Sequence, residues 1–259
     1  MMGQEHIRNV ALVDGVEIAA IFEPDAGMRR EAARLAPDAV FAESVAALLE
    51  RTELDALVIA SPNNLHVRQI ADIMERRPLP LLVEKPLFTD RKDAALIERF
   101  VTDYPAPVWV AMEYRYMPPI ARLVADAAEA TGGVMMLTIR EHRSRYQEEI
   151  CAVGPAGKIE VRVPGPKRFW PAGEPEPVAE MTVSPRLSGR RGTERIPVEP
   201  RLLDSGDHNG ATYFEHLRFA RVVRGLAVPE VSLRDGERAV AMALAAQTSA
   251  ETGRAVELG

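Results

Sequence analysis

The chain has one cysteine, so no internal disulfide can form. That residue, Cys151, lies in the apolar run Ile150-Cys151-Ala152-Val153 and reads as a small buried side chain rather than a reactive thiol. No apolar run approaches the roughly 18 residues of a membrane-crossing helix. No leader with a charged start and an apolar centre precedes the first element. These absences predict a cytoplasmic protein. Positive charge is not in excess either: 32 basic residues face 38 acidic ones, a net charge of −6. That argues against a general affinity for nucleic acid. The arginines Arg186, Arg190, Arg191, Arg195 and Arg201 have no aromatic residues between them, and they read as a solvated loop rather than a phosphate patch. No histidine spacing resembles a zinc site, and no Cys–His cluster exists, so no metal is expected. No internal repeat is visible.

What is present is a regular alternation. The 259 residues, 47% of them hydrophobic, suffice for one large domain or two modest ones. Strands are predicted at 16–22, 57–60, 81–83 and 108–112. Helices are predicted at 28–35, 45–51, 66–76, 92–102 and 119–130, with 7–13 as the end of another. This alternation specifies an α/β fold with a doubly wound parallel sheet. The second half reads differently. Strands at 134–139, 149–153 and 158–163, with a turn at Gly154-Pro155-Ala156-Gly157, precede helices at 213–224 and 235–251. The change near Thr131-Gly132-Gly133 divides the chain into domains 1–131 and 132–259.

The most informative stretch runs from Asp55 to Pro86. Leu57-Val58-Ile59-Ala60 stops abruptly at Ser61-Pro62-Asn63-Asn64, with His66 opening a helix. Leu81-Leu82-Val83 stops at Glu84-Lys85-Pro86. Short apolar runs of this kind read as buried parallel strands. Ligands of open α/β sheets bind beyond the carboxyl ends of the strands. Ser61, Pro62, Asn63, His66, Glu84 and Lys85 would sit at that edge.

Ser61-Pro62…His66 followed by Glu84-Lys85-Pro86 resembles the Gfo/Idh/MocA family, the nicotinamide-dependent oxidoreductases related to glucose–fructose oxidoreductase and inositol dehydrogenase. The resemblance implies an N-terminal Rossmann dinucleotide-binding domain and a C-terminal α+β domain with a mostly antiparallel open sheet. It also implies NAD-dependent oxidation of a secondary hydroxyl on a polyol or sugar-like substrate. Lys85 would then contact the nicotinamide ribose and the substrate hydroxyl and help move the proton. Glu84 would orient the site, and Pro86 would follow a cis peptide bond. His66 would brace its helix. Arg115, in Glu113-Tyr114-Arg115-Tyr116-Met117-Pro118, resembles the family arginine that reaches the nicotinamide end or the substrate. His6 matches a frequent family position near the cofactor loop. His142 could face the site from a strand end. His208, in Asp207-His208-Asn209-Gly210, either reaches the site or only shapes its turn. His216, inside a helix, reads as structural. In the family, the open sheet face packs on another subunit. The apolar character of both sides of Ile150-Cys151-Ala152-Val153 predicts a homo-oligomer here.

Two departures stand out. A dinucleotide-binding fold opens with a strand and Gly-x-Gly-x-x-Gly. Here Met1-Met2-Gly3-Gln4-Glu5-His6 leads directly into a helix, and Gly3 fits only the third glycine, where helix and strand pack closely. The expectation is that the first strand lies before Met1 in the protein. The acidic partner expected about 20 residues on is Glu23. Its carboxylate would accept from the ribose hydroxyls and repel a 2′-phosphate, favouring NAD over NADP. The second departure lies near Arg143/Ser144. There the family's segment with its acid–base histidine is absent, either left out of this sequence or deleted. If the acid–base function is lost, the alternative reading is a non-catalytic nucleotide-binding or regulatory protein of the same fold.

Overall fold

The structure is a computed structural model. It describes residues 2–141, 146–170, 173, 175–187, 189 and 191–258. In chain order the first elements are α1 Met2–Val10, β1 Ala20–Phe22, α2 Ala26–Leu35, β2 Val40–Ala42, α3 Val45–Leu49 and β3 Leu57–Ile59. Next come α4 His66–Arg76, β4 Leu81–Glu84, α5 Ala94–Asp103, β5 Val108–Ala111 and α6 Pro118–Thr131. Then follow β6 Met136–Glu141, β7 Tyr146–Gly154, β8 Gly157–Pro164, β9 Ala179–Pro185 and β10 Gly192–Ile196. The last are α7 Pro200–Ser205, α8 Ala211–Val223 and α9 Leu233–Thr252. Among the described residues, no helix is long and apolar enough to cross a membrane.

The chain divides into two compact units, Met1–Met112 with His216–Gly259, and Glu113–Glu215. The sequence expectation places the division at 131/132; packing ties the C-terminal helices to the first unit. The segment before α9 bonds to β5, where the Val110 N–H donates to the Val231 carbonyl at 3.1 Å. Gly236 of α9 lies over the same strand. A Cβ there would come within 2.8 Å of Val110 Cγ2 and 3.2 Å of Leu87 Cδ2, so glycine permits this approach. Trp109 of β5 meets Phe219 edge-on at 6.4 Å between ring centres. A capping box starts α9: the Ser232 hydroxyl accepts from the Asp235 N–H, and the Asp235 carboxylate accepts from the Ser232 N–H.

In the first unit the strands are parallel, as the alternation predicts. They form two groups rather than one doubly wound sheet. β1 pairs with β2, Ile21 opposite Phe41, and β4 lies between β3 and β5, with Leu82 opposite Val58 and Trp109. Among the described residues, no strand bonds β1 to β3. With pairing on one edge only, β1 keeps three residues instead of the predicted seven at 16–22. β4 is buried along its length, as its unbroken apolar run demands. A second cluster holds α1 to α2: Ile7, Ala32, Ala36 and Ala39, against Ile18, Ile21, Leu35 and Phe41.

The second unit holds a five-stranded antiparallel sheet in the order β10-β9-β8-β7-β6. The predicted turn is present: Gly154 pairs with Gly157 across Pro155-Ala156. A side chain at Gly154 would collide with the carbonyl oxygens of Gly133 and Thr131. Ile150, Ala152, Ile159, Val161 and Met181 share one buried face, on which α6 packs. The other face carries Val153 and Cys151 beside the ion pairs Lys158–Glu160 at 3.0 Å and Arg162–Glu149 at 3.3 Å. Cys151 is therefore half-buried, not buried as predicted, because every second residue of β7 turns away from α6. Strands β9 and β10 are absent from the sequence reading. β10 takes in Arg195, opposite Glu180, so part of the arginine run is sheet edge rather than loop.

Candidate functional site

The carboxyl end of β4 gathers three buried titratable side chains. Glu84, the last residue of the strand, is buried, and Lys85 just beyond it is exposed. The Lys85–Pro86 peptide is cis, as the motif implies. Glu84 Oε2 accepts the Lys85 backbone N–H at 3.1 Å, and Oε1 lies 3.0 Å from His6 Nε2. The far ring nitrogen of His6, Nδ1, lies 2.8 Å from His216 Nε2, with the rings nearly perpendicular. Helix α1 places His6 and helix α8 places His216. Burial, and then the neighbouring His6 charge, hold the His216 imidazole well below its ordinary pKa of 6.5, so it is neutral at neutral pH.

The end of β3 forms the adjoining edge. The Ser61 hydroxyl donates to Gln69 Oε1 at 2.6 Å, while Pro62 and Asn63 are exposed in a short turn. His66 is fully buried at the start of α4. Its Nδ1 lies 3.0 Å from the Pro86 carbonyl oxygen and its Nε2 3.0 Å from the Ser61 carbonyl oxygen. Carbonyls only accept, so a neutral ring makes one of these bonds and an imidazolium makes both. The ring thus lies between the loop after β3 and the loop after β4, whereas the sequence expectation is that it braces its own helix. Gly3 faces Ala60, but a Cβ there would lie 3.9 Å from Ala60 Cβ, an ordinary contact. Close helix–strand packing is therefore not what requires glycine at this position. Glu23 is half-buried after β1, where its Oε1 accepts the Asp25 N–H at 2.9 Å.

The second unit holds a separate group. Arg115 is exposed in the turn Glu113–Tyr116, its guanidinium 5.7 Å from the Tyr116 ring centre. Glu113 is buried, with Oε1 3.7 Å from His208 Nε2, and the Tyr114 ring lies 5.5 Å from the His208 ring. The Ala211 N–H donates to the His208 carbonyl at 2.9 Å across the turn. Within it Asn209 has a positive φ of 49° and a side chain that donates to the Pro164 carbonyl at 3.0 Å; Gly210 follows at φ 81°. His142 and the Arg143/Ser144 junction lie outside the described residues.

The sequence reading missed the partnership of His216 with His6. The two are 210 positions apart, and no local pattern links them. It also left Glu113 without a role, although its place right after a buried strand is the signal that marked Glu84.

Comparison with known proteins agrees with this geometry. Residues 1–112 match the family model described as "Oxidoreductase family, NAD-binding Rossmann fold". The chain is 33% identical over 126 residues to the rhizopine catabolism protein MocA of Rhizobium meliloti, covering 48% of this chain and 38% of that one. It is 37% identical over 94 residues to an inositol 2-dehydrogenase of Leifsonia xyli subsp. xyli, covering 36% and 27%. The matched segments thus span well under half of those relatives. Among solved structures, an oxidoreductase from Agrobacterium radiobacter in complex with NAD+, L-tartaric acid and magnesium superposes with a TM-score of 0.68 at 18% identity, over 99% of this chain and 95% of that one. At that identity the likeness establishes the fold.

Proposed function

We propose that the chain, whose residues 1–112 match the model of the Gfo/Idh/MocA oxidoreductase family, binds NAD in its first unit and oxidises a secondary hydroxyl of a polyol or sugar-like substrate. The observation that carries this reading is Lys85: an exposed ammonium side chain at the end of a buried strand, on a turn whose backbone a buried carboxylate holds. The donor set suits a dinucleotide. Gly3, Ser61, Pro62, Asn63 and His66 would line or brace the cofactor edge, with Glu84 and Lys85 toward the nicotinamide end; for Arg115 a cofactor contact is proposed on the resemblance alone. When bound, the nicotinamide supplies the hydride acceptor. Lys85 orients the substrate hydroxyl and, in its amine form, takes the hydroxyl proton; in the reverse direction it returns that proton. His142 and His208 are proposed substrate contacts, His208 backed by Glu113.

Glu23 sets the cofactor preference. Its Oε1 is held by the Asp25 N–H, and its second oxygen has no partner among the described residues. That oxygen can accept from the ribose hydroxyls and would repel a 2′-phosphate, so NAD is preferred over NADP. The single cysteine fits a reducing cytoplasmic setting. A homo-oligomer is also proposed, supported by the exposed Met136, Leu137 and Ile139 of edge strand β6. Light scattering that reports a monomer at micromolar concentration would oppose it.

The test of the activity is a polyol and sugar panel with NAD, read at the NADH absorbance. Turnover on at least one member is expected. Tight NAD binding without turnover on any substrate would favour the non-catalytic reading instead.

A further inference from the structure

We infer that His216 is a positioning residue for Lys85, acting through His6 and Glu84; the inference rests on the role proposed for Lys85 above. Three polar side chains from distant parts of the chain meet in the first unit, each nearly excluded from water. Buried polar groups persist when each is hydrogen-bonded. Here the bonds run in one line. His216 meets His6, His6 meets Glu84 Oε1, and Glu84 Oε2 holds the Lys85 N–H.

The proton positions follow from the acceptors. A carboxylate only accepts, so His6 Nε2 carries the proton that faces Glu84. His6 Nδ1 and His216 Nε2 then share one proton: a neutral His6 accepts from the His216 Nε2–H, and a protonated His6 donates to a bare His216 Nε2. Either arrangement fits a neutral His216. With both ring nitrogens engaged, His6 can neither flip nor rotate without losing a bond. With only Glu84 engaged, the ring could turn about its Cβ–Cγ bond and carry the carboxylate with it. The Glu84 carboxylate is what fixes the amide on which the Lys85 side chain begins. His216 thus supplies the second anchor point of a ring that orients the turn, while touching neither substrate nor cofactor.

The test compares His216→Leu, which removes the partner of His6 Nδ1, with His216→Gln, whose side-chain amide can stand near the place of Nε2 and either donate or accept. The first readout needs no substrate. The chain has four lysines, Lys85, Lys92, Lys158 and Lys167, so ¹³C-dimethylated Lys85 can be assigned by NMR. Its signal should move in His216→Leu and return toward the parent position in His216→Gln. The second readout is steady-state kinetics with a substrate from the polyol panel. The Leu variant should lose roughly 10- to 100-fold in kcat, as small misplacements of a reacting group do, with the KM for NAD within about twofold of the parent. The Gln variant should recover most of the loss. An unmoved Lys85 signal in a folded His216→Leu protein overturns the inference, whatever the kinetics. A parent protein inert on every substrate overturns the proposed activity and leaves the NMR arm to decide the positioning role. Should the Leu variant not fold, His216→Asn, whose shorter amide cannot reach His6, takes its place.

Discussion

Replacing Glu84 by glutamine keeps shape and volume but removes one acceptor. Glu84 now accepts two N–H groups, from His6 at 3.0 Å and from the Lys85 backbone at 3.1 Å. A glutamine has one oxygen and one NH2. If the oxygen faces His6, the NH2 meets the Lys85 N–H, donor against donor. If the NH2 faces His6, that ring must move its proton to Nδ1. Nδ1 points at His216 Nε2, so His216 must shift its proton as well. Either way a charge-assisted bond is lost, worth about 1.5–3 kcal/mol. Relief from burying a carboxylate offsets part of this. Glu84→Gln should therefore lower the unfolding free energy by roughly 2 kcal/mol, read as a lower urea midpoint with an unchanged m-value. The ¹⁵N shifts of His6 or the Lys85 amide should change with it. A variant as stable as the parent within about 0.5 kcal/mol, with both signals unmoved, would refute the account of the carboxylate as a two-way acceptor.

Lys85→Ala should cut kcat and kcat/KM together by about 10²- to 10⁴-fold while NAD affinity holds; near-native turnover would remove Lys85 from the chemistry. Glu23→Ser should narrow the preference for NAD over NADP in calorimetric titrations, and a parent that binds NADP as well as NAD would contradict the role given to the carboxylate. His216 has a folded-state pKa below its ordinary 6.5 because burial and His6 disfavour the imidazolium. The unfolded chain therefore takes that proton first, and stability present above pH 6.5 drains as pH falls, by up to about 1.4 kcal/mol per pH unit. Urea melts at acid and neutral pH should show the parent losing more than His216→Phe, and equal losses would count against this. Gly154→Ala should destabilise the second unit by roughly 3 kcal/mol because the methyl meets backbone carbonyls that cannot rotate away; an unchanged melting temperature would show that the turn can open at little cost.

Much of the candidate site is local in sequence, and so it was readable. Ser61-Pro62, His66 and Glu84-Lys85-Pro86 each sit where an apolar run stops, and a run of buried strand residues has few other readings. The cis peptide followed from the same motif. What escaped was either short or distant. Val40-Phe41-Ala42 is too brief to show a period. Ala179-Glu180-Met181-Thr182-Val183 does alternate, but it follows a proline-rich stretch that reads as loop. The placement of α9 depends on Gly236 finding Val110, which no window of residues can reveal. The same holds for His216, which reads as one more helical side chain until the fold sets it against His6.

The first unit is assembled from the two ends of the chain, with about a hundred residues between its parts. During synthesis, β5 emerges long before the helix that covers it. At ordinary elongation rates the ribosome needs roughly 5–20 s to make the intervening residues. Through that interval Val110, fully buried in the finished protein and set against Gly236, lacks its cover on a nascent strand. A chaperone that shields apolar strands, or a translation rate tuned across residues 113–215, would therefore act on the folding yield of this protein at one identifiable surface, the side of β5 that later receives Gly236.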